Sequence, residues 1–288
     1  MKNKKPIVVG VGELLWDMLP TGKRAGGAPV NVIFHASQLG AEGYAISAVG
    51  QDILGDELLK ALDTNEINYI VPQIDYPTGT VQVTLCDGTP SYEIVEGVAW
   101  DFIPLIEAAK AVVSKVDAIA FGTLAQRNKK SADTICQLLQ LVPKDAMKYY
   151  DINLRQQYYD KAMIVRLMEL ATVFKINDEE LAVIIPMFGL EGMNHQEIAL
   201  WFINRYQLTH FILTAGADYS SIYTPEEEST IKTPKVEVLD TVGAGDAFSG
   251  AFIYATLAGA SLQEAHQKAV EIGAFVCQNN GAWPKHKK

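Results

Sequence analysis

Two small-residue glycines and an acid stand together near the end of the chain, in Asp240-Thr241-Val242-Gly243-Ala244-Gly245-Asp246, just ahead of an apolar helical run. Because Gly243, Ala244 and Gly245 carry no bulky side chain, an anion can approach their backbone amides with the positive end of the helix dipole behind them. Asp246 falls in the first turn of the same helix. A carboxylate beside an anion nest is unfavourable if the anion is only to be bound, since like charges repel. It is useful if the acid takes a proton from a hydroxyl that attacks a phosphate held there. The helix terminus should favour the ionised form of Asp246 and keep it a base near neutral pH. Taken alone, the segment also describes an acid at a helix N-terminus behind turn glycines, and so short a motif does not choose between the two.

A second glycine-rich stretch, Gly26-Gly27-Ala28-Pro29-Val30-Asn31 followed by Gly40 and Gly50, lies roughly two hundred residues upstream. With both stretches in view, DTVGAGDAFSGAF resembles the C-terminal signature of the ribokinase-like sugar kinases, also called the PfkB family. The 26–50 stretch resembles that family's N-terminal signature in residues and spacing. Ile33 departs from it, standing where the family usually has a small residue, which concerns packing more than chemistry. The order of helices and strands between the two suits the family as well, so the resemblance covers nearly the whole chain.

The resemblance implies ATP as phosphoryl donor, Mg2+ with it, and a small sugar as acceptor. Asp17 in GELLWDMLP takes the place of the carboxylate that holds sugar hydroxyls, while Glu13 of the same stretch either faces solvent or braces the turn. Gly26, Gly27 and Asn31 match the sugar-binding signature: the glycines permit close approach, and the Asn amide both donates and accepts. Asp151-Ile152-Asn153-Leu154-Arg155 looks like the D-x-N-x-R stretch of fructokinase-like members. Arg155 there holds an anionic group of ATP, orients a sugar oxygen, or makes a surface salt bridge.

Asn177-Asp178-Glu179-Glu180 resembles the N-x-x-E motif that shapes the magnesium and phosphate site, with Glu180 acting through water; the same residues make a helix capping box. Thr214-Ala215-Gly216 matches the nucleotide-side T-x-G, although Tyr219 replaces a usual glycine three residues on. Gly281-Ala282 falls where relatives form part of the base pocket and, in some members, a monovalent-cation loop with Asp240, which adds K+ to the ligands implied. Together GELLWDMLP, AGGAPVN and DINLR resemble fructokinases more than nucleoside or phosphosugar kinases, implying conversion of fructose to fructose 6-phosphate. Ribose, another ketose, 2-keto-3-deoxygluconate and a nucleoside are the rival acceptors, and Lys23 and Arg24 leave an anionic one open.

The elements that must position these residues follow from periodicity. PIVVGVG reads as a buried strand followed by extended chain, 29–39 as a helix with Pro29 in its first turn and Gly40 at its end, and YAISAV as a strand. Leu54, Leu58, Ala61, Leu62 and Asn65 share a helical face. In 80–85 the period changes to two, and 91–95 can pair with it across Cys86-Asp87-Gly88-Thr89-Pro90 as a small antiparallel sheet. From Pro104 onward helices alternate with the strands DAIAF, KYYDI, TVFKI and HFILT; a β stretch at 220–232 and two apolar helices follow. This order predicts an α/β fold with a ribokinase-like, mostly parallel central sheet flanked by helices on both faces, as one domain over 1–288. Lid strands are expected near 13–25 and 78–100, closing the site against water. The exposed face of that lid is either a homodimer surface, as in several relatives, or an edge capped within the chain.

Composition removes other classes. A net charge of −10 opposes binding to nucleic acid or anionic membranes. No apolar run reaches the roughly 18 residues of a membrane helix, and the basic start lacks a signal-peptide core, so a cytoplasmic protein is expected. The three Cys and five His show neither C-x-x-C nor H-E-x-x-H spacing. The dinucleotide fingerprint suggested by Gly10 and Gly12 fails at Leu15, and no P-loop G-x-x-x-x-G-K-[ST] exists. A non-catalytic sugar- or nucleotide-binding regulator on the same fold stays open as an alternative.

Overall fold

The computed structural model describes residues 5–86 and 89–286, and its centre is built on the apolar run that opens the chain. β1 (Ile7–Val11) is followed by β2 (Leu15–Leu19), β3 (Gly22–Gly26), α1 (Ala28–Leu39), β4 (Glu42–Ile46), β5 (Val49–Gly50), α2 (Ile53–Thr64), β6 (Asn68–Ile70) and β7 (Gln73–Ile74). The hairpin β8 (Gly79–Cys86) and β9 (Thr89–Ile94) comes next. The alternating half contains α3 (Glu107–Val113), β10 (Ala118–Gly122), α4 (Lys129–Leu141), β11 (Met147–Asp151), α5 (Lys161–Met168), β12 (Val173–Asn177), α6 (Asp178–Phe188), α7 (His195–Tyr206) and β13 (His210–Ala215). Then come the hairpin β14 (Tyr219–Tyr223) and β15 (Glu228–Lys232), and the final helices α8 (Ala244–Leu257) and α9 (Leu262–Cys277).

Nine strands form one sheet in the order β15-β14-β13-β12-β11-β10-β1-β4-β6, parallel from β13 to β6 and antiparallel at β14 and β15. The chain leaves β1 toward β4 on one side and returns to β10 on the other, so the carboxyl ends of β1 and β10 flank the switch point where ligands of open α/β sheets bind. Successive strand residues point to opposite faces. One face stacks Phe121, Tyr150, Phe174 and Phe211 as a ladder with centroids 5.3 to 5.5 Å apart. The other face places Val8, Ala118, Ala120 and Val173 under α1 and α8. Small residues there let those two helices lie close to the sheet and to each other.

Two departures from the sequence pattern are local. YAISAV does not form one strand: it breaks at Ser47, whose buried hydroxyl donates to Gly12 O at 2.6 Å, and Val49 and Gly50 pair with β7 in a separate two-stranded sheet. Ile33, the residue out of pattern, is fully buried against bare backbone on two strands. A Cβ added at Gly10 or Gly43 would meet its side chain at 2.7 and 2.6 Å. Glycine on β1 and β4 therefore accommodates the larger residue.

The period-two segment forms a second sheet, β3-β2-β8-β9, separate from the large one. It pairs the chain near Asp17 with the chain after Gly79, in parallel between β2 and β8 and antiparallel elsewhere. Asp87 and Gly88 of the expected connection lie outside the described residues.

Candidate active site

α8 begins at Gly243, whose φ of 80° is left-handed and whose absent Cβ would sit 2.6 Å from Ala282 Cβ. Glycine is required there on both counts. Ala244 N–H turns back to Thr241 O at 3.2 Å, and the first helical bond runs from Ala247 N–H to Gly243 O. The turn thus takes up the Ala244 amide, while the amides of Gly245 and Asp246 are first-turn donors for which helix geometry supplies no acceptor.

Asp246 faces α1 across this opening. Asn31 Nδ2 donates to Asp246 Oδ2 at 2.7 Å, so the two glycine-rich stretches meet at one hydrogen bond. Burial pushes the Asp246 carboxyl from 3.8 up to about 6; the Asn31 bond opposes that, Asp151 adds to it, and Lys175 and Arg155 counter it. Desolvation thus outweighs the helix terminus, contrary to the expectation from sequence. Asp246 is still mostly ionised at neutral pH, and a carboxyl near 6 is a stronger base than an ordinary one. Beneath it lies a small cavity lined by Pro29, Gly122, Tyr149, Asp151, Asn153 and Asp246.

What brings α1 to α8 is Gly250, in the helix interior one turn beyond Asp246. A Cβ there would lie 2.5 Å from Val32 O and 3.1 Å from Ala36 N, so the two backbones touch. Glycine inside a helix costs about 1 kcal/mol relative to alanine, and that penalty is the signal by which FSGAF marks a close crossing.

On the sugar-like side, Gly27 caps α1 with φ 125°, and any side chain would enter Glu13 O at 2.1 Å. Gly26 leaves room for Asp17, whose Oδ2 would be 3.0 Å from an added Cβ. Burial raises Asp17 to about 6, while Arg155 and Arg24 draw it down and Asp240 adds to the rise. Glu13 does not face solvent. It is 4% exposed, Oε1 accepts from Ala28 N–H at 3.3 Å, and buried Oε2 has no partner among the described residues. Its carboxyl is raised by burial, with Asp246 adding to the rise and Arg155 countering it.

Arg155 lies beyond the end of β11 at Asp151, on a chain segment in which Asn153 adopts φ 43°. Its side chain donates to Leu154 O at 2.9 Å, and its charge acts on Glu13, Asp17 and Asp246 together. That places it over the acids of the sugar-like side.

Asn177 and Glu180 form a true capping box at the start of α6: Asn177 Oδ1 accepts from Glu180 N–H at 2.8 Å, and Glu180 Oε2 from Asn177 N–H at 3.0 Å. Glu180 Oε1 also accepts from Leu154 N–H at 2.8 Å, tying α6 to the Arg155 loop. Thr214 pairs with Asn177 across β12 and β13, and Gly216, at φ 48°, turns the chain into β14. Tyr219 is the first residue of that strand and pairs opposite Ala215.

Asp240 closes the site from the other end of its segment. Its Oδ2 accepts from Arg24 Nη1 at 2.6 Å and Gly281 N–H at 3.0 Å, and its Oδ1 from Val242 N–H at 3.0 Å. These contacts hold it below the usual carboxylate range against the upward push of burial. Lys23, the other cation of β3, pairs with Glu57.

Two residues carry the centre without having been singled out. Lys175, a lone cation in the apolar strand VFKIN, donates to Asp151 Oδ2 at 2.6 Å with both groups largely buried. A Cβ at Gly245 would be 3.5 Å from Lys175 Nζ, so this ammonium lies against the start of α8. Burial opposes its charge, but Asp151, Asp246 and Glu180 outweigh burial and raise its pKa. Ser249 Oγ donates to Gly245 O at 3.0 Å and meets Asp151 Oδ2 at 3.3 Å, linking the pair to the helix. Among the described residues no cluster of three or more His, Cys, Asp or Glu could hold a metal ion, and no helix is long and apolar enough to cross a membrane.

Known proteins are similar to this chain in sequence and in fold. A fructokinase from Rhizobium leguminosarum bv. trifolii is 29% identical over 86% of this chain and 78% of its own. An ATP-dependent 6-phosphofructokinase from Thermoanaerobacterium thermosaccharolyticum is 27% identical over 97% and 90%. The crystal structure of a fructokinase with bound ATP from Xylella fastidiosa superposes with a TM-score of 0.85 at 21% identity, covering 97% of this chain and 94% of that one. The model of the pfkB family carbohydrate kinases matches residues 15–287, which take in most of the large sheet, the small sheet and the Asp246 centre just described, and the chain belongs to that family of sugar kinases.

Proposed function

We propose that the protein transfers the γ-phosphoryl group of ATP to a primary hydroxyl of fructose, giving fructose 6-phosphate. The observation that carries this reading is Asp246: a carboxylate near pKa 6 in the first turn of a helix whose leading amides are open, tied by Asn31 to the glycine-rich stretch below the lid.

Asp17, with Gly26, Gly27 and Asn31 beside it, holds the sugar with one hydroxyl toward Asp246, and Arg155 orients an oxygen from above. Asp246 takes the proton of that hydroxyl as the oxygen attacks phosphorus in line, and ADP leaves. The amides of Gly245 and Asp246, with Lys175 beside them, face the charge on the transferring oxygens. Thr214 and Gly216 border the nucleotide on the β13 side. Mg2+ would be carried mainly by the phosphates, since the described residues offer no acid cage; it would neutralise phosphate charge, with Glu180 and Asp151 as the nearby acids. The β3-β2-β8-β9 sheet, carrying Asp17 and Arg24, is the lid that keeps water out.

Fructose is supported by the Rhizobium relative's name and by the DINLR and GELLWDMLP segments. A phosphorylated acceptor, the substrate class named by the Thermoanaerobacterium relative, is less well matched, because Lys23 and Arg24 are each paired with an acid. ADP release measured over fructose, fructose 6-phosphate, ribose, 2-keto-3-deoxygluconate and a nucleoside tests the reading. Highest kcat/KM with fructose is expected. A preference for any other member overturns the substrate, and sugar binding without ADP release from any of them makes the protein a regulator.

A further inference from the structure

The last described residues return to the centre. Trp283 Nε1 donates to Asn31 Oδ1 at 2.7 Å, while the other end of the same amide donates to Asp246. An indole N–H only donates, so the Asn31 atom facing it must be the carbonyl oxygen. That fixes the amide's orientation, which nothing else in an Asn side chain would decide, and turns the NH2 group toward Asp246. Were the amide reversed, its oxygen would face the carboxylate and repel it.

The tail holding Trp283 is fastened to α1 over one helical turn, at positions spaced to share a face. Trp283 stacks on Phe34 with centroids 6.0 Å apart and planes at 23°. His35, fully buried, places Nε2 at 2.9 Å from Ala282 O, and its Nδ1 lies 2.9 Å from His286 Nε2. A carbonyl can only accept, so His35 carries its proton on Nε2, and His286 donates to Nδ1. His286 also stacks on His35 at 5.2 Å and sets its edge against Phe275 at 5.6 Å.

We infer that segment 282–286 is a strap that positions the catalytic centre from outside it, with Trp283 as a positioning residue that sets the orientation of the Asn31 amide and, through it, the alignment and ionisation of Asp246. The inference rests on the reading of Asp246 as the base. The charged and titratable groups around Asp246 are Glu13 after β1, Tyr149 and Asp151 on β11, Arg155 beyond it, and Lys175 on β12. None of them touches Trp283, so a change at Trp283 reaches Asp246 by way of Asn31.

Trp283→Phe keeps an aromatic ring beside Phe34 and removes the N–H together with the second ring of the indole. The expected result is a roughly tenfold lower kcat, an acidic limb of the pH–rate profile moved up by about one unit, and little change in KM for ATP. In an Asn31→Ala background the same substitution should have no further effect on the limb. If Trp283→Phe does not fold, His286→Ala carries the test: it loosens the strap but keeps the indole, and the limb should rise by a smaller amount. A folded Trp283→Phe with parental kcat and limb, or an undisplaced limb in His286→Ala where that variant carries the test, overturns the strap. Asp246→Asn run in parallel separates the two ideas, since a near-normal rate there removes the base, whereas an inactive Asp246→Asn beside a normal Trp283→Phe removes the strap alone.

Discussion

Asn31 and Asp246 stand 215 positions apart and share a hydrogen bond of 2.7 Å, and the approach of the two helices that carry them is set by a glycine one turn beyond Asp246. Gly250 lets α8 lie on the backbone of α1 at Val32. Gly250→Ala adds a methyl 2.5 Å from Val32 O and must push the helices apart. The helix gains about 1 kcal/mol of propensity, against roughly 1–3 kcal/mol of overpacking. Thermal stability should fall slightly and kcat by tenfold or more, because the Asn31 contact lengthens. Unchanged kcat in a folded Gly250→Ala protein would show that the crossing does not govern the centre.

Asp246→Asn should separate catalysis from stability. Turnover should fall by roughly 10²-fold or more, as expected for loss of a general base, and the wild-type rate should decline in acid with a limb near pH 6. Stability moves the other way. The folded carboxyl at about 6 lies above its ordinary value of 3.8, so folding is favoured by Asp246 below that lower value and loses this contribution as pH rises through about 6. At pH 7 and above, the Asn variant, whose amide oxygen can still accept from Asn31, should be more stable by on the order of 2 kcal/mol. Chemical denaturation of both proteins at pH 4 and pH 7.5 reads this directly. An Asn variant less stable than wild type at pH 7.5 contradicts it.

Lys175 and Asp151 should behave as a unit. Lys175→Met leaves the Asp151 carboxylate largely buried without its partner at 2.6 Å, which is expected to cost roughly 3–5 kcal/mol. It also removes a charge that holds Asp246 down, so the acidic limb of the rate should move upward. Adding Asp151→Asn removes the orphaned charge and should return much of the stability. Activity should stay low, because the ammonium beside Gly245 is still missing. If the double variant recovers activity along with stability, the pair is structural only.

The sequence carried the fold well because its signals are long. Alternation of apolar runs and helical faces from β10 to β13, Pro29 and Gly40 at the ends of α1, and period two in β8 each span several residues. What it hid depends on single contacts between distant segments. Lys175 sits in a strand that otherwise reads as buried, and only the neighbouring Asp151 explains a cation there. The break at Ser47 follows from one hydroxyl reaching Gly12, and β6 and β7 are too short to carry a period. Asp246 was legible as a position and misread as an environment: helix polarity is local and visible in sequence, whereas the desolvation that outweighs it comes from burial of the carboxyl among distant segments, with Asn31 of α1 and Asp151 of β11 beside it.

Arg24 ties strand β3 to the segment before α8 through Asp240, and it also acts on Asp17, so its loss should appear as a pH-dependent change in sugar binding. Asp17 already lies near 6, raised by burial against the pull of Arg155 and Arg24, with Asp240 adding to the rise. Arg24→Ala removes one of the two cations and leaves the charge of Asp240 uncompensated, so Asp17 should titrate higher still. Sugar hydroxyls donate best to the ionised carboxylate. KM for the sugar should therefore rise severalfold at pH 6.5 and less at pH 8.5, where Asp17 is ionised in both proteins. KM for ATP should change little at either pH, and Arg24→Lys, which keeps the charge, should fall between the two. Equal increases in sugar KM at both pH values would assign Arg24 to holding the lid in place and remove its electrostatic role on Asp17.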